Sequence, residues 1–261
     1  MNDWPKKIRY RRILLSNDDG IAAPGLKVLQ RIAAKLSDDV WVCAPETEQS
    51  GAAHSLTLHD PLRIRRLSKT RYAVNGTPTD CVLLGLQEIL KENPPDLLLS
   101  GVNRGANIGE DVTYSGTVAA AMEATILGIP AIALSLNIQD GQSKIHWPTA
   151  EKYAPSIIKK LCAAGWPEGT LINVNFPDCA PAEAGPIKVT IQGQRKILDN
   201  LDKRIDPRGR AYYWIGSLRS EAIAQPGTDL AAIDANQISV TPIHLDLTHQ
   251  PTLKPLKQIF E

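Results

Sequence analysis

The chain has 261 residues, enough for one large α/β domain or two ordinary ones and too many for a mini-protein held by staples. Its composition, 43% hydrophobic and 22% charged, is that of a globular protein and excludes a disordered or fibrous chain. With 29 basic against 28 acidic residues it lacks the positive field of a dedicated nucleic-acid binder, so no duplex partner is expected.

The basic N-terminus, Lys6 to Arg12, is followed by no long apolar run and does not read as a secretory signal. The first apolar segment, ILLS at 13–16, reads as a strand, and NDDG at 17–20 ends it. Leu26, Leu29, Ile32 and Leu36 then recur at helical spacing from Pro24 onward. Val40–Ala44 is a second strand. Residues 62–66 and 71–74 are shorter ones among polar neighbours, the latter ending in the Asn75-Gly76 turn signal. Thr77, Pro78 and Asp80 spell a helix start: Thr77 as N-cap, Pro78 at the first helical position, and Asp80 reaching the free amides. That helix is expected to run to about Lys91. Asp96–Ser100 is apolar throughout, as suits a strand buried on both faces of a parallel sheet. A Gly- and Asn-rich loop, 101–114, leads to an Ala-rich helix at 117–127 and a strand at 131–136. Residues 116–138 raise the question of a membrane span, but Glu123 and the Gly128/Pro130 break divide them, so none is expected.

A helix at 153–164 and a strand at 171–176 follow. From about Pro186 the chain reads as β-rich, with strands at 187–191, 211–215 and 238–243. Alternating strands and helices imply an α/β fold: a Rossmann-like three-layer core over 12–185 with a mostly parallel sheet, and a β-rich C-terminal extension over 186–261 expected to complete the domain and to serve as an oligomerisation arm. Cys43, Cys81, Cys162 and Cys179 form no C-x-x-C pair and have apolar neighbours, so reduced buried thiols and a cytoplasmic location are expected.

In open parallel sheets ligands bind beyond the carboxyl ends of the strands. Three such loops stand out. Asp18 and Asp19, adjacent at the tip of a buried strand, repel each other unless a cation or hydrogen bonds offset them, and a hard cation such as Mg²⁺ or Mn²⁺ takes their oxygens. The plainer alternative is that NDDG is only turn and capping chemistry. Asn103 can add a neutral oxygen and Asn107 can hold a substrate group. Tyr114-Ser115-Gly116-Thr117 precedes an apolar helix, so amides and two hydroxyls at a positive helix end form an anion site. A simple N-cap is the competing reading.

Other chemistries lack their motifs. There is no G-x-G-x-x-G, P-loop, Cys-x5-Arg, D-x-D, G-x-S-x-G or zinc-type histidine spacing.

Six segments in order carry a resemblance: ILLSNDDGI at 13–21 with APGL at 23–26, APETEQSG at 44–51, VNGTPTDCV at 74–82, SGVNRGAN at 100–107, DVTYSGTV at 111–118 and NVNFP at 173–177. Together they resemble the SurE family of stationary-phase survival proteins, metal-dependent 5′/3′-nucleotidases. The resemblance implies hydrolysis of nucleoside 5′- and 3′-monophosphates by metal-activated water, one divalent cation per subunit (Mg²⁺ or Mn²⁺), and a cytoplasmic homodimer or homotetramer. It implies Asp18, Asp19, Ser50 and Asn103 as metal ligands, with Asp18 and Asp19 catalytic. Ser115, Gly116 and Thr117 are implied for the phosphate, with Asn17 and Asn107 lining the site. An exopolyphosphatase-type activity and a non-catalytic nucleotide-binding module are the alternatives. The aromatic run Tyr212-Tyr213-Trp214 is expected to meet a partner subunit rather than a base. The arginines at 63–71 and 195–210 are expected to be solvated strand edges rather than a substrate-steering patch.

Overall fold

The computed structural model of the chain describes residues 7–138, 145–194, 201–215 and 224–260. Six parallel strands form the centre: β1 (Arg12–Ser16), β2 (Asp39–Pro45), β4 (Arg71–Val74), β5 (Leu97–Arg104), β6 (Ala131–Leu136) and β7 (Thr170–Phe176). β3 (Ile64–Arg66) closes one edge antiparallel to β4. At the other edge β11 (Ile238–His244) lies antiparallel to β7, and β8 (Ile187–Val189) lies parallel to β11. The order β3-β4-β2-β1-β5-β6-β7-β11-β8 reverses direction at β1, which places the topological switch point between β1 and β5.

Alternation along the central strands builds two cores. Ile13 and Leu15 face one side with Leu97, Leu99, Ile132 and Leu134. Against them pack α1 (Pro24–Ala34), through Leu26, Leu29 and Ile32, and α4 (Trp147–Ala164), through Ala154, Ile157 and Ile158. Leu14, Leu98, Ala131 and Ala133 face the other side, beneath α2 (Pro78–Leu84) and α3 (Gly116–Ile126). Each fully buried Leu or Ile contributes roughly 1.5–3 kcal/mol of transfer free energy. Eight of the eleven residues of α3 are buried, and Ala120, Ala121 and Ala124 meet Ala131 and Ala133 in one cluster. Small residues on both sides let this helix lie close to the sheet, and its all-round apolarity is that of an interior helix.

Local signals explain the boundaries. Thr77 and Asp80 form a reciprocal capping box, with Pro78 in the first turn. The expected helix to Lys91 ends as α-helix at Leu84 and continues as one wide turn over Gly85–Ile89. α4 begins at Trp147, six residues before the expected start, because Pro148 in its first turn needs no N–H there and Pro155 is carried inside the helix.

The C-terminal part differs most from expectation. β8 and β11, both from the extension beyond residue 185, join the main sheet. Among the described residues, β9 (Leu201–Ile205) and β10 (Ala211–Ile215) stand apart as an antiparallel ribbon. β9, the short α5 (Asp229–Asp234) and α6 (Gln250–Phe260) have no counterpart in the sequence reading. α6 has no buried residue, and its Leu253, Leu256, Ile259 and Phe260 are exposed, as are Tyr212, Tyr213 and Trp214 on β10. Of the arginines at 63–71, Arg65 pairs with Glu46 at 2.7 Å and Arg71 donates to the Ile21 carbonyl at 3.0 Å, so these two serve the edge of the sheet. Arg195 lies outside the described residues. All four cysteines are buried and unpaired. Among the described residues no helix is long and apolar enough to cross a membrane.

Candidate active site

β1 ends at the switch point, and the next three residues turn sharply. Asn17 is fully buried and donates its amide N–H to the Gly20 carbonyl at 3.0 Å, while its Oδ1 has no partner among the described residues. Asp18 is 4% exposed. Its Oδ1 accepts from the Thr117 hydroxyl at 2.5 Å, and the Thr117 backbone N–H adds a second bond. Its backbone carbonyl accepts from Gln49 N–H at 2.8 Å, tying the 46–60 loop to the tip of β1. Asp19 is half-buried and its Oδ2 accepts from Arg104 N–H at 3.4 Å.

Burial pushes the Asp18 carboxyl above its ordinary value, against the lowering effect of Thr117. Burial, then the charge of Asp18, pushes Asp19 up from 3.8 to about 6. Two adjacent carboxylates that resist ionisation in this way form a site where a cation relieves both.

The N-terminus of α3 holds Asp18 in place. Gly116 leaves no room for a side chain: a Cβ there would sit 2.8 Å from the Asp18 Cβ and 3.0 Å from Pro78 Cγ. The expectation of two outward-facing hydroxyls is corrected. Ser115 is engaged as the N-cap, accepting from Val118 N–H at 3.0 Å, and Thr117, fully buried, is bonded to Asp18. The positive helix end is thus partly filled by the protein's own carboxylate. Of the first-turn amides, Gly116 N–H is the one with no acceptor among the described residues.

The other expected residues are placed as follows. Ser50 Oγ donates to Glu48 Oε1 at 2.9 Å, which leaves its lone pairs free to face a cation. Asn103, at the end of β5, turns its amide N–H to the Gly105 carbonyl at 2.9 Å. Asn107 commits one of its two side-chain N–H groups within the protein. It is buried, donates to Ser135 Oγ at 2.8 Å, and is clamped by Asn175 and Asn173, whose amides donate to its carbonyl at 3.1 and 2.8 Å. These two asparagines stand on β7, and they fix the 101–108 loop from below.

Asp19 and Ser50 share a cavity of about 590 Å³ with Glu48, Arg104, Gly105 and Trp147. Glu48, Arg104 and Trp147 are not among the residues the sequence singles out. Glu48 also raises both aspartates by its charge. A second tie across the site pairs His54 Nε2 with Glu123 Oε2 at 2.9 Å, and a third joins Thr57 to Asp80 at 2.6 Å; both hold the loop that carries Ser50. Partners 69 and 23 residues apart leave no local signal.

Comparison with known proteins places this geometry. The family model described as "Survival protein SurE" matches residues 13–199. The chain belongs to the SurE family. Two curated members, each named "5'-nucleotidase SurE", are 60% identical over 249 residues (Paramagnetospirillum magneticum, 95% of each chain) and 59% identical over 247 residues (Parvibaculum lavamentivorans, 94% of this chain and 89% of the relative). The crystal structure of the SurE protein from Aquifex aeolicus superposes with a TM-score of 0.84 at 44% identity, covering 96% of this chain and all of that one. The fold is therefore the α/β architecture of the SurE family. The matched span includes every residue assigned above to the turn after β1, the Ser50 loop and the start of α3.

Proposed function

We propose that this chain is a divalent-metal-dependent 5′-nucleotidase that hydrolyses nucleoside monophosphates to nucleoside and phosphate. One observation carries the reading: Asp18 and Asp19 stand side by side at the switch point, one locked by Thr117 against α3 and the other facing a cavity. The relatives named 5′-nucleotidase support the substrate class.

The donors fit a hard cation. Among the described residues no group of three or more His, Cys, Asp or Glu is placed to hold a metal, so the two aspartates need neutral oxygens beside them. Ser50 Oγ and the Asn103 side-chain oxygen supply that type, and an all-oxygen set suits Mg²⁺ or Mn²⁺. When bound, such a cation places charge against the phosphoryl oxygens and acidifies water. The chain's own part is to fix the two carboxylates through Thr117 and Arg104. Gly116 N–H, with no acceptor among the described residues, would be the α3 donor available to a phosphoryl oxygen. The exposed aromatics of β10 and the apolar face of α6 support a homodimer or homotetramer. Four unpaired thiols suit the cytoplasm.

The test measures phosphate release from nucleoside 5′-monophosphates with Mg²⁺ or Mn²⁺, then with chelator, then in Asp18→Asn. Metal-dependent turnover abolished by the substitution is expected. Chelator-insensitive turnover overturns the metal role, and binding without phosphate release overturns the enzyme.

A further inference from the structure

Phosphate chemistry accounts for one wall of the cavity. Asp19, Ser50 and Glu48 line it, with Arg104 and Gly105 beside them, and Trp147 is the aromatic residue of the lining. At about 590 Å³ this open cleft falls in the size range of small-molecule sites and exceeds what a phosphoryl group needs.

The indole is held rigidly. Trp147 opens α4, whose entry is pinned by His146 Nδ1 to Asp178 Oδ1 at 2.8 Å and by the Thr149 hydroxyl to the Cys179 carbonyl at 2.5 Å. Pro148 stiffens the same turn. Beneath the ring, a Cβ on residue 25 would lie 3.2 Å from the indole Cη2 and 2.0 Å from the Val102 carbonyl oxygen, so only glycine admits this approach of α1, β5 and the indole. Among the described residues the indole stacks on no other ring and its N–H has no acceptor. Trp147 packs against the apolar core, yet among the described residues this half-buried aromatic has neither a stacking nor a hydrogen-bonding partner, and the part of it that lines the same cavity as Asp19 is poised to take one from a ligand.

We propose that Trp147 is the base platform of this site: the purine or pyrimidine of the substrate stacks on the indole while its phosphate reaches the Asp19 end, with Arg104 and Gly105 beside the ribose. The proposal rests on the nucleotidase reading above and adds where the nucleoside lies. Every base has a π-face, so recognition by stacking tolerates all of them and favours nucleotides over base-free phosphate esters.

The test uses the full chain with Mn²⁺, AMP and ribose 5-phosphate as paired substrates, and the variants Trp147→Ala and Trp147→Phe. Loss of one base stack is expected to lower kcat/KM for AMP by roughly five- to a hundredfold more than for ribose 5-phosphate, mostly through KM, with Phe restoring most of it. Adenosine is expected to quench the tryptophan fluorescence of the wild type and to lose that quench in Trp147→Phe, a comparison that stands even where Trp147→Ala does not fold. Equal losses on both esters, or a quench of the same amplitude in Trp147→Phe, overturn the proposal. A wild type that hydrolyses neither ester overturns the nucleotidase reading alone, since the adenosine titration still decides the platform.

Discussion

Replacing Asp19 by asparagine should make the metal-free protein more stable while abolishing turnover. Asp19 is raised from 3.8 to about 6 by burial and by the neighbouring Asp18 charge, so the folded chain holds a proton that the unfolded chain has already released. Below pH 4 both states are protonated and the group contributes nothing. Between pH 4 and 6 ionising it costs the folded state progressively more, and stability falls as pH rises. A shift of about 2 units corresponds to about 3 kcal/mol at most. Asp19 is only half-buried, and solvent screening reduces this to about 1–2 kcal/mol above pH 6. The substituted amide retains an acceptor for the Arg104 N–H and carries no charge. The assay is urea unfolding of wild type and Asp19→Asn in chelator from pH 4 to 7. The variant's advantage should be absent at pH 4 and reach its full size near neutrality; Mn²⁺ should then stabilise the wild type more than the variant. An advantage of the same size at every pH would refute the desolvation argument.

Two further substitutions separate stability from function. In Gly116→Ala, helix propensity gains about 1 kcal/mol, while the new methyl group meets Asp18 Cβ at 2.8 Å and must push it aside. Overpacking of this kind costs about 1–3 kcal/mol, so unfolding should shift by less than about 2 kcal/mol while kcat/KM falls at least about tenfold through the displaced carboxylate; activity within about twofold of wild type would show that Asp18 does not need its position. In His54→Ala, Glu123, 8% exposed, loses its 2.9 Å partner, and thermal unfolding should report a loss of about 1–3 kcal/mol, the cost of an unsatisfied buried acceptor. A change under about 0.5 kcal/mol, within the range of ordinary surface substitutions, would mean the pair does not anchor the Ser50 loop.

The core is legible in the sequence because its signals are local. Ile13, Leu14 and Leu15 are apolar without alternation, which is what two covered faces demand, and the structure divides them between the two cores. Thr77-Pro78-Thr79-Asp80 announces a cap that forms as read. Asp18 and Asp19 stand out because adjacent acids at a strand tip repel each other unless something offsets them. What the sequence does not display is the third dimension of the site. Thr117 reads as outward-facing because any Thr near a helix start can be, and only the approach of β1 to α3, with partners 99 residues apart, turns its hydroxyl onto Asp18. Trp147 is hidden by a helix start that Pro155 obscures, and α6 escapes notice because its apolar positions bury nothing within the chain.

The nearly balanced net charge of +1 acquires a local meaning at this site. Asp19 and Glu48 line the cavity with Arg104, and Asp18 is buried beside them, so with all three carboxylates ionised two negative charges are in excess where a phosphate monoester would approach. α3 does not remedy this by itself, since part of its positive end is committed to Asp18. Once ionised, the protein alone therefore repels its proposed substrate; the carboxyls hold their protons because of burial first and these neighbouring charges second. A divalent cation and protons compete for the same oxygens, and only the cation leaves charge to attract the phosphate. On the proposed reading the cation would serve substrate binding as well as the chemistry, because it offsets the negative charge that the ionised site presents to a phosphate.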